Sequence, residues 1–191
     1  THTVQFTTDY TGTEVIYFEN WDWINDSTWT IDDVSIKEIT NAQPAFAVKD
    51  FNGDTWLSLG DNILNNTAVG KLALSSSPTG SNNSAFGSRA LFSNTIGARN
   101  TANGAGALYS NTSGYDNSAF GFNTLYSNTD GYENVAIGSN ALYSNTSGAN
   151  NLALGNSALR SNTTGGNNLA FGSNALYLNA TGTSNIAIGS G

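Results

Sequence analysis

Asparagine returns every 17 residues through the last two-thirds of this 191-residue chain, at Asn66, Asn83, Asn100, Asn117, Asn134, Asn151, Asn168 and Asn185, and the register never slips. Each opens a unit reading N-x-A-φ-G-x-x-A-L-x-S-N-T-x-G-x-x, where φ is mostly large and apolar, so eight units follow one another, seven of them complete. A recurrence of this length signals stacked supersecondary units and takes precedence over any local reading. The third position is Ala throughout, from Ala68 to Ala187. The fifth is always Gly, at Gly70, Gly87, Gly104, Gly121, Gly138, Gly155, Gly172 and Gly189. A second Gly holds the fifteenth position from Gly80 to Gly182, and Leu holds the ninth from Leu74 to Leu176.

Two glycines at fixed offsets predict two corners per unit, where the backbone needs φ > 0 or close approach. The segments between them, about five residues, suit strands rising about 3.3 Å per residue and are too short for helices. A unit of two turns and two short strands cannot bury its own apolar side chains, so neighbouring units must stack and share a core. The expected fold of residues 66–191 is therefore all-β: a parallel β-solenoid with 17-residue turns, about 38 Å long if coils sit about 4.8 Å apart. Stacked asparagines would hydrogen-bond along the axis and tolerate a left-handed corner. Ligand binding by the same rows is the competing reading.

A flat coil has interior room for small residues and one larger row. Leu at the ninth position together with an aromatic at the tenth (Phe92, Tyr109, Tyr126, Tyr143, Tyr177) exceeds it. The surplus is expected at an interface between copies of the chain, since a closed rotational assembly buries an apolar stripe along a rod. Second positions change from Thr67, Ser84, Thr101 and Ser118 to Val135, Leu152, Leu169 and Ile186, which predicts a drier core toward the C-terminus. Asn103 replaces the apolar fourth position, which predicts a loose or hydrated third turn.

Asn134-Val135-Ala136-Ile137-Gly138 and Asn185-Ile186-Ala187-Ile188-Gly189 resemble the head repeats of trimeric autotransporter adhesins, and the complete unit resembles the repeat arrays of phage tail-fibre proteins. The resemblance covers residues 66–191. It implies a left-handed β-roll wound as an intertwined homotrimer and exposed on a virion or bacterial surface. The 17-residue unit is longer than those common in adhesin heads.

The rest of the chain has a different character. Residues 1–61 carry eleven acidic and two basic side chains, whereas residues 62–191 carry three and four, so the net charge of −8 belongs to the N-terminal part. Alternation at Val4/Phe6, Val15/Tyr17, Trp29/Ile31 and Val34/Ile36 predicts about three antiparallel strands. Thr28 to Glu38, with Ile31-Asp32-Asp33-Val34-Ser35-Ile36-Lys37-Glu38, resembles the last strand of jelly-roll carbohydrate-binding modules. Residues 1–43 are thus expected to be the C-terminal half of such a sandwich, completed by chain upstream of Thr1 or by strand donation from a neighbouring subunit. Trp21, Trp23, Trp29 and Tyr10 are candidate sugar-stacking residues, with plain core as the rival reading. Asp26, Asp32 and Asp33 are candidate calcium ligands, because hard cations take clustered carboxylate oxygens; the rival reading is a solvated strand edge. Residues 44–65 are expected to form a neck, with Trp56 to Leu64 imitating the first nine positions of the repeat as an abbreviated turn that caps the stack.

Several function classes fall away. Without a Lys/Arg cluster the chain lacks the charge to neutralise phosphates, so nucleic acid is not an expected partner. There are no cysteines, and His2 is the sole histidine, which leaves no thiolate site, Ser-His pair or multi-histidine metal centre. No apolar run reaches the roughly 20 residues of a membrane helix. Beginning at Thr1 and stopping at Gly191 just as a unit has begun, the chain is expected to be part of a longer one. What remains is a non-enzymatic extracellular fibre segment, on a phage tail fibre or a bacterial surface, that assembles with itself and contacts a host-surface glycan or protein receptor. It needs no cofactor beyond calcium in the sandwich. An ice-binding solenoid is the alternative from another class, through the row Asn94-Thr95, Asn111-Thr112, Asn128-Thr129, Asn145-Thr146 and Asn162-Thr163. The sequons at Asn111 and Asn145 read as by-products of the repeat.

Overall fold

The computed structural model describes residues 14–16, 34–37, 45–49, 55–61, 64–76 and 79–191, with side-chain environments given from Leu64 onward. The described residues contain strands and turns and no helix. Strands β1 (Glu14–Ile16), β2 (Val34–Lys37), β3 (Ala45–Lys49) and β4 (Thr55–Asp61) run antiparallel and lead into β5 (Asn66–Val69). From there one strand per unit follows in parallel: β6 (Ser84–Phe86), β7 (Thr101–Asn103), β8 (Ser118–Phe120), β9 (Val135–Ile137), β10 (Leu152–Leu154), β11 (Leu169–Phe171) and β12 (Ile186–Ile188). All twelve form a single sheet in chain order. Third-position alanines lie directly over one another, Ala136 opposite Ala119 on one side and Ala153 on the other.

Each coil holds one three-residue strand rather than the two five-residue strands expected. The reason is three left-handed residues per turn besides the fifth-position glycine. They fall at the seventh, ninth and seventeenth positions, as at Asn140 (φ 56), Leu142 (φ 51) and Asn150 (φ 57). The seventh and seventeenth are often Asn or Asp, which tolerate this region. The ninth is always Leu, with φ between 51 and 53 in every complete coil, a conformation costing roughly 1–2 kcal/mol for an L-residue. Burial offsets that cost: Leu91, Leu108, Leu125, Leu142 and Leu159 are fully inaccessible, and burying a Leu is worth about 1.5–3 kcal/mol.

The interior is correspondingly narrow, built from third-position Ala, eighth-position Ala and ninth-position Leu. Between strands the turns also pair from coil to coil. Leu142 N–H donates to Ala158 O at 2.9 Å, Ser144 N–H to Arg160 O at 3.0 Å and Asn140 N–H to Phe122 O at 2.9 Å. The backbone is thus satisfied by the neighbouring turn almost all the way round, as a structure without helices requires.

The two glycine rows have different causes. Fifth-position glycines have φ from 126 to 147, and a Cβ on Gly138 would lie 2.5 Å from Gly155 O of the next coil. The fifteenth-position glycines avoid the left-handed region; a Cβ on Gly148 would instead strike Asn145 Oδ1 at 2.3 Å and Gly165 O at 2.4 Å.

Three sequence expectations are corrected here. Only the third position of each unit, the middle residue of its three-residue strand, points inward, and the second and fourth positions flanking it point out. Asn103 therefore sits exposed on the outer face, where it loosens nothing, and its turn carries the same coil-to-coil bonds as the others. The shift to Val135, Leu152, Leu169 and Ile186 makes the outer face, not the core, more apolar toward the C-terminus. The part of Trp56 to Leu64 that lies in β4 is not a parallel turn: β4 covers the sheet edge antiparallel, with Leu57, Ser58 and Leu59 opposite Val69, Ala68 and Thr67.

Candidate functional site

Two buried asparagine ladders brace the interior. In the first, Asn134 Nδ2 donates to Asn117 Oδ1 at 3.0 Å and to Gly148 O at 2.8 Å, while Asn134 N–H also donates to Asn117 Oδ1 at 3.1 Å. Asn100 below it and Asn151 and Asn168 above repeat the pattern; Asn83 keeps its backbone bond to Asn66 Oδ1 and its amide bond to Gly97 O, and Asn185 keeps both bonds to Asn168 Oδ1. The second, at the twelfth position, links Asn94, Asn111, Asn128, Asn145 and Asn162 by 2.8 Å amide-to-amide bonds. It ends at Asn162, whose Oδ1 is buried with no partner; Asn179 beyond it donates to Gly182 O and accepts from Asn185 Nδ2. Both rows are spent on the fold. Asn111 and Asn145 are fully buried with their amides engaged, so neither sequon is accessible in the folded chain. The thirteenth-position hydroxyls also face the backbone: Thr95, Thr112, Thr129, Thr146 and Thr163 each donate to the next coil's carbonyl at 3.0–3.1 Å.

Three surfaces remain open. The outer strand face carries two rows two residues apart. Phe86, Phe120, Ile137 and Phe171 are between 39% and 53% exposed in the fourth-position row, and Ile186 and Ile188 of the last strand about three-quarters exposed. A parallel sheet face with this many large apolar side chains exposed is unusual on an isolated protein.

Along another side the tenth-position rings form a half-buried column. Phe92, Tyr109, Tyr126 and Tyr143 stack at centroid separations of 4.8–5.2 Å within 10° of parallel, the coil spacing itself. Arg160 continues the column between Tyr143 at 5.1 Å and Tyr177 at 5.7 Å, a cation–π arrangement. Beside the column lies an open cavity of about 310 Å³, bordered by sixth- and seventh-position residues of three successive coils.

At the third surface Tyr115 and Tyr132 stack at 4.8 Å, and Arg99 makes a two-pronged bond to Asp116, both contacts at 2.7 Å. The Arg99 hydrogen bond, aided by its charge, holds the Asp116 carboxyl below its ordinary value, and the same bond raises Arg99. Tyr115 is pushed up, first by desolvation and then by Tyr132, Glu133 and Asp116, against a smaller pull from Arg99.

Tyr10, Trp21, Trp23 and Trp29, as well as Asp26, Asp32 and Asp33, lie outside the described residues. Among those described, no three His, Cys, Asp or Glu side chains gather where a metal could sit, and no helix is long and apolar enough to cross a membrane. The cavity escapes a reading of the repeat's constant positions. Its sequence signal is a departure, Ala105-Gly106, where the coils on either side carry Ser88-Arg89 and Phe122-Asn123. Compared with known proteins, the chain matches no family model, no curated protein and no solved structure.

Proposed function

We propose that this chain is a segment of an extracellular, non-enzymatic fibre, a stiff β-roll shaft that assembles with itself and serves adhesion, most simply the receptor-binding tail fibre of a phage. The outer strand face carries the argument. Its second- and fourth-position rows run the length of the solenoid; the second turns from Thr and Ser to apolar residues at Val135, and the fourth stands largely exposed on the single chain. Burying the half of each fourth-position ring or branched side chain that is still exposed is worth about 1 kcal/mol, a contribution that adds up along the apolar members of the row. Three such faces meeting around one axis close the assembly and bury this stripe on every copy. The homotrimer, and the left-handed winding that goes with it, come from the resemblance of the repeat to tail-fibre arrays.

The remaining properties fit a spacer. The interior is filled by invariant small residues and amide ladders, so the rod is uniform and can be lengthened by adding units. The acidic N-terminal part is proposed to be a carbohydrate-binding-like half sandwich that uses Trp21, Trp23, Trp29 and Tyr10 against glycans, with calcium at Asp26, Asp32 and Asp33 as its only cofactor. A bacterial surface adhesin or self-assembling filament is the second reading, favoured by the Asn134 to Gly138 and Asn185 to Gly189 motifs.

The test is the native mass of the full chain by light scattering, beside the variant Ile137→Asp. The reading expects three times the chain mass of 20.0 kDa for the unaltered protein and a folded, smaller species for the variant. A stable monomer with unchanged β-structure overturns it.

A further inference from the structure

The cavity beside the aromatic column exists because one coil is trimmed. At the sixth and seventh positions the third unit has Ala105 and Gly106, between Ser88 and Arg89 of one neighbour and Phe122 and Asn123 of the other. Gly106 is left-handed (φ 68), and a Cβ there would meet Asn123 Oδ1 at 2.3 Å, so the floor of the notch is backbone. Its volume, about 310 Å³, is at the lower end of the range for small-ligand sites, roughly 300–1,000 Å³.

The groups around it differ in what they have left to offer. Tyr109, Tyr126 and Tyr143 are stacked on one another, so their faces are largely taken and their edges border the cavity. Phe122, 57% exposed, has no ring stacked on it among the described residues, which leaves an apolar face open. Arg99 is tied to Asp116, and Arg160 lies between two tyrosines. Arg89 is exposed and has neither a carboxylate nor a ring against it among the described residues. The three acidic residues beyond position 62, Asp116, Asp130 and Glu133, occupy the fourteenth and seventeenth positions of their units, on a different stretch of the coil.

An unpaired guanidinium, an uncovered aromatic face and flanking Ser88 and Asn123 make up a donor set for one kind of molecule. It has a carboxylate, a C–H face and hydroxyls on a ring that fits a shallow notch. We propose that the Ala105–Gly106 notch binds an acidic sugar, a uronic or sialic-type residue. Arg89 takes its carboxylate, Phe122 its C–H face, and Ser88 and Asn123 its hydroxyls. This deepens the adhesive reading and rests on it for its purpose, while placing a receptor contact on the shaft itself.

The experiment titrates the full chain with a glucuronic-acid disaccharide and with its neutral glucose counterpart, by calorimetry, alongside Arg89→Gln and Ala105→Phe. The second variant fills the notch with the side chain that the next coil already carries at the same position, so the fold accommodates it; circular dichroism and native mass verify this. Expected are binding of the acid about tenfold or more tighter than of the neutral sugar, the worth of one charge-assisted hydrogen bond; loss of that preference in Arg89→Gln; and loss of both ligands in Ala105→Phe. No preference in the unaltered protein, or one that survives either substitution, overturns the notch. A trimer without acid preference removes the notch and leaves the fibre, whereas a monomer that binds the acid removes the fibre and leaves the notch.

Discussion

The twelfth-position ladder makes a prediction in which most unknown terms cancel. Asn128 donates from Nδ2 to Asn111 Oδ1 at 2.8 Å and accepts on Oδ1 from Asn145 Nδ2 at 2.8 Å. Its other bond, to Gly131 O, is replaceable because Asn117 Nδ2 also reaches that carbonyl at 2.8 Å. Asn128→Ala therefore orphans two buried groups, Asn111 Oδ1 and one N–H of Asn145. Asn162 differs in one respect, since its Oδ1 has no partner. Asn162→Ala orphans only Asn145 Oδ1, because Gly165 O keeps its bond from Asn151. Asn162→Ala also removes the amide oxygen that already lacked a partner, so the number of orphaned groups rises by two in Asn128→Ala and by none in Asn162→Ala. Each orphaned buried group costs about 1–3 kcal/mol, so Asn128→Ala should be the more destabilising by about 2–6 kcal/mol, with the cavity terms similar and subtracted. Urea unfolding followed by circular dichroism, at one fixed protein concentration, measures both. The two sites lie in different coils, so Leu125→Ala and Leu159→Ala, equally buried in the same two coils, serve as controls for fraying toward the end of the rod. If the asparagine pair differs by no more than the leucine pair, the directional ladder is not what holds these amides.

Two further outcomes follow from the corners and from the exposed ion pair. Gly138→Ala combines a forbidden φ with a backbone clash, about 2–6 kcal/mol together, whereas Gly148→Ala suffers overlap alone, about 1–3 kcal/mol, so its urea midpoint should fall less. The Asp116 carboxyl, followed by carbon NMR, should titrate below its ordinary 3.8 and return toward it in Arg99→Gln. Because its folded value is depressed, whatever the pair contributes is present at neutral pH and lost as the solution is acidified through that lower value; an unchanged titration in the variant would refute the assigned cause.

Much of the solenoid was legible because its constraints repeat. Ala68 to Ala187 and the two glycine rows each answer a steric demand that recurs identically in every coil, so eight copies report the same fact. What was not legible is which way the variable positions point. Fourth-position Phe and Ile look like core in a linear reading, since large apolar residues usually are. The coil is too narrow for them: left-handed Leu at the ninth position already fills the space that the two alanine rows leave. For the same reason Asn103 looked like a defect and is an ordinary surface residue. The number of strands per turn was also hidden, because nothing in a lone Leu announces a positive φ, and that single feature turns an expected second strand into a chain of tight turns. The notch was hidden for the opposite reason, since it is carried by two residues that occur once.

This division between constant and variable rows bears on function. Positions that face inward, the two asparagine rows, the alanines, the leucine and the glycines, admit almost no change, because any departure is felt by the coils above and below at about 4.8 Å. Positions that face outward are free to differ from coil to coil without disturbing the stack, as Asn103 between Phe86 and Phe120 demonstrates. A rod built this way separates the requirement to fold from the requirement to recognise. Anything it binds must be read by residues that break the pattern, at the sixth, seventh, tenth, sixteenth and seventeenth positions; of these Arg89, Ala105-Gly106, Phe122 and the Tyr115–Tyr132 pair fall within units two to four, and Arg160 lies in unit six. On the fibre reading proposed above, recognition would fall to such departures on the more polar half of the shaft, while the more apolar outer face from Val135 onward would contribute most to holding copies together.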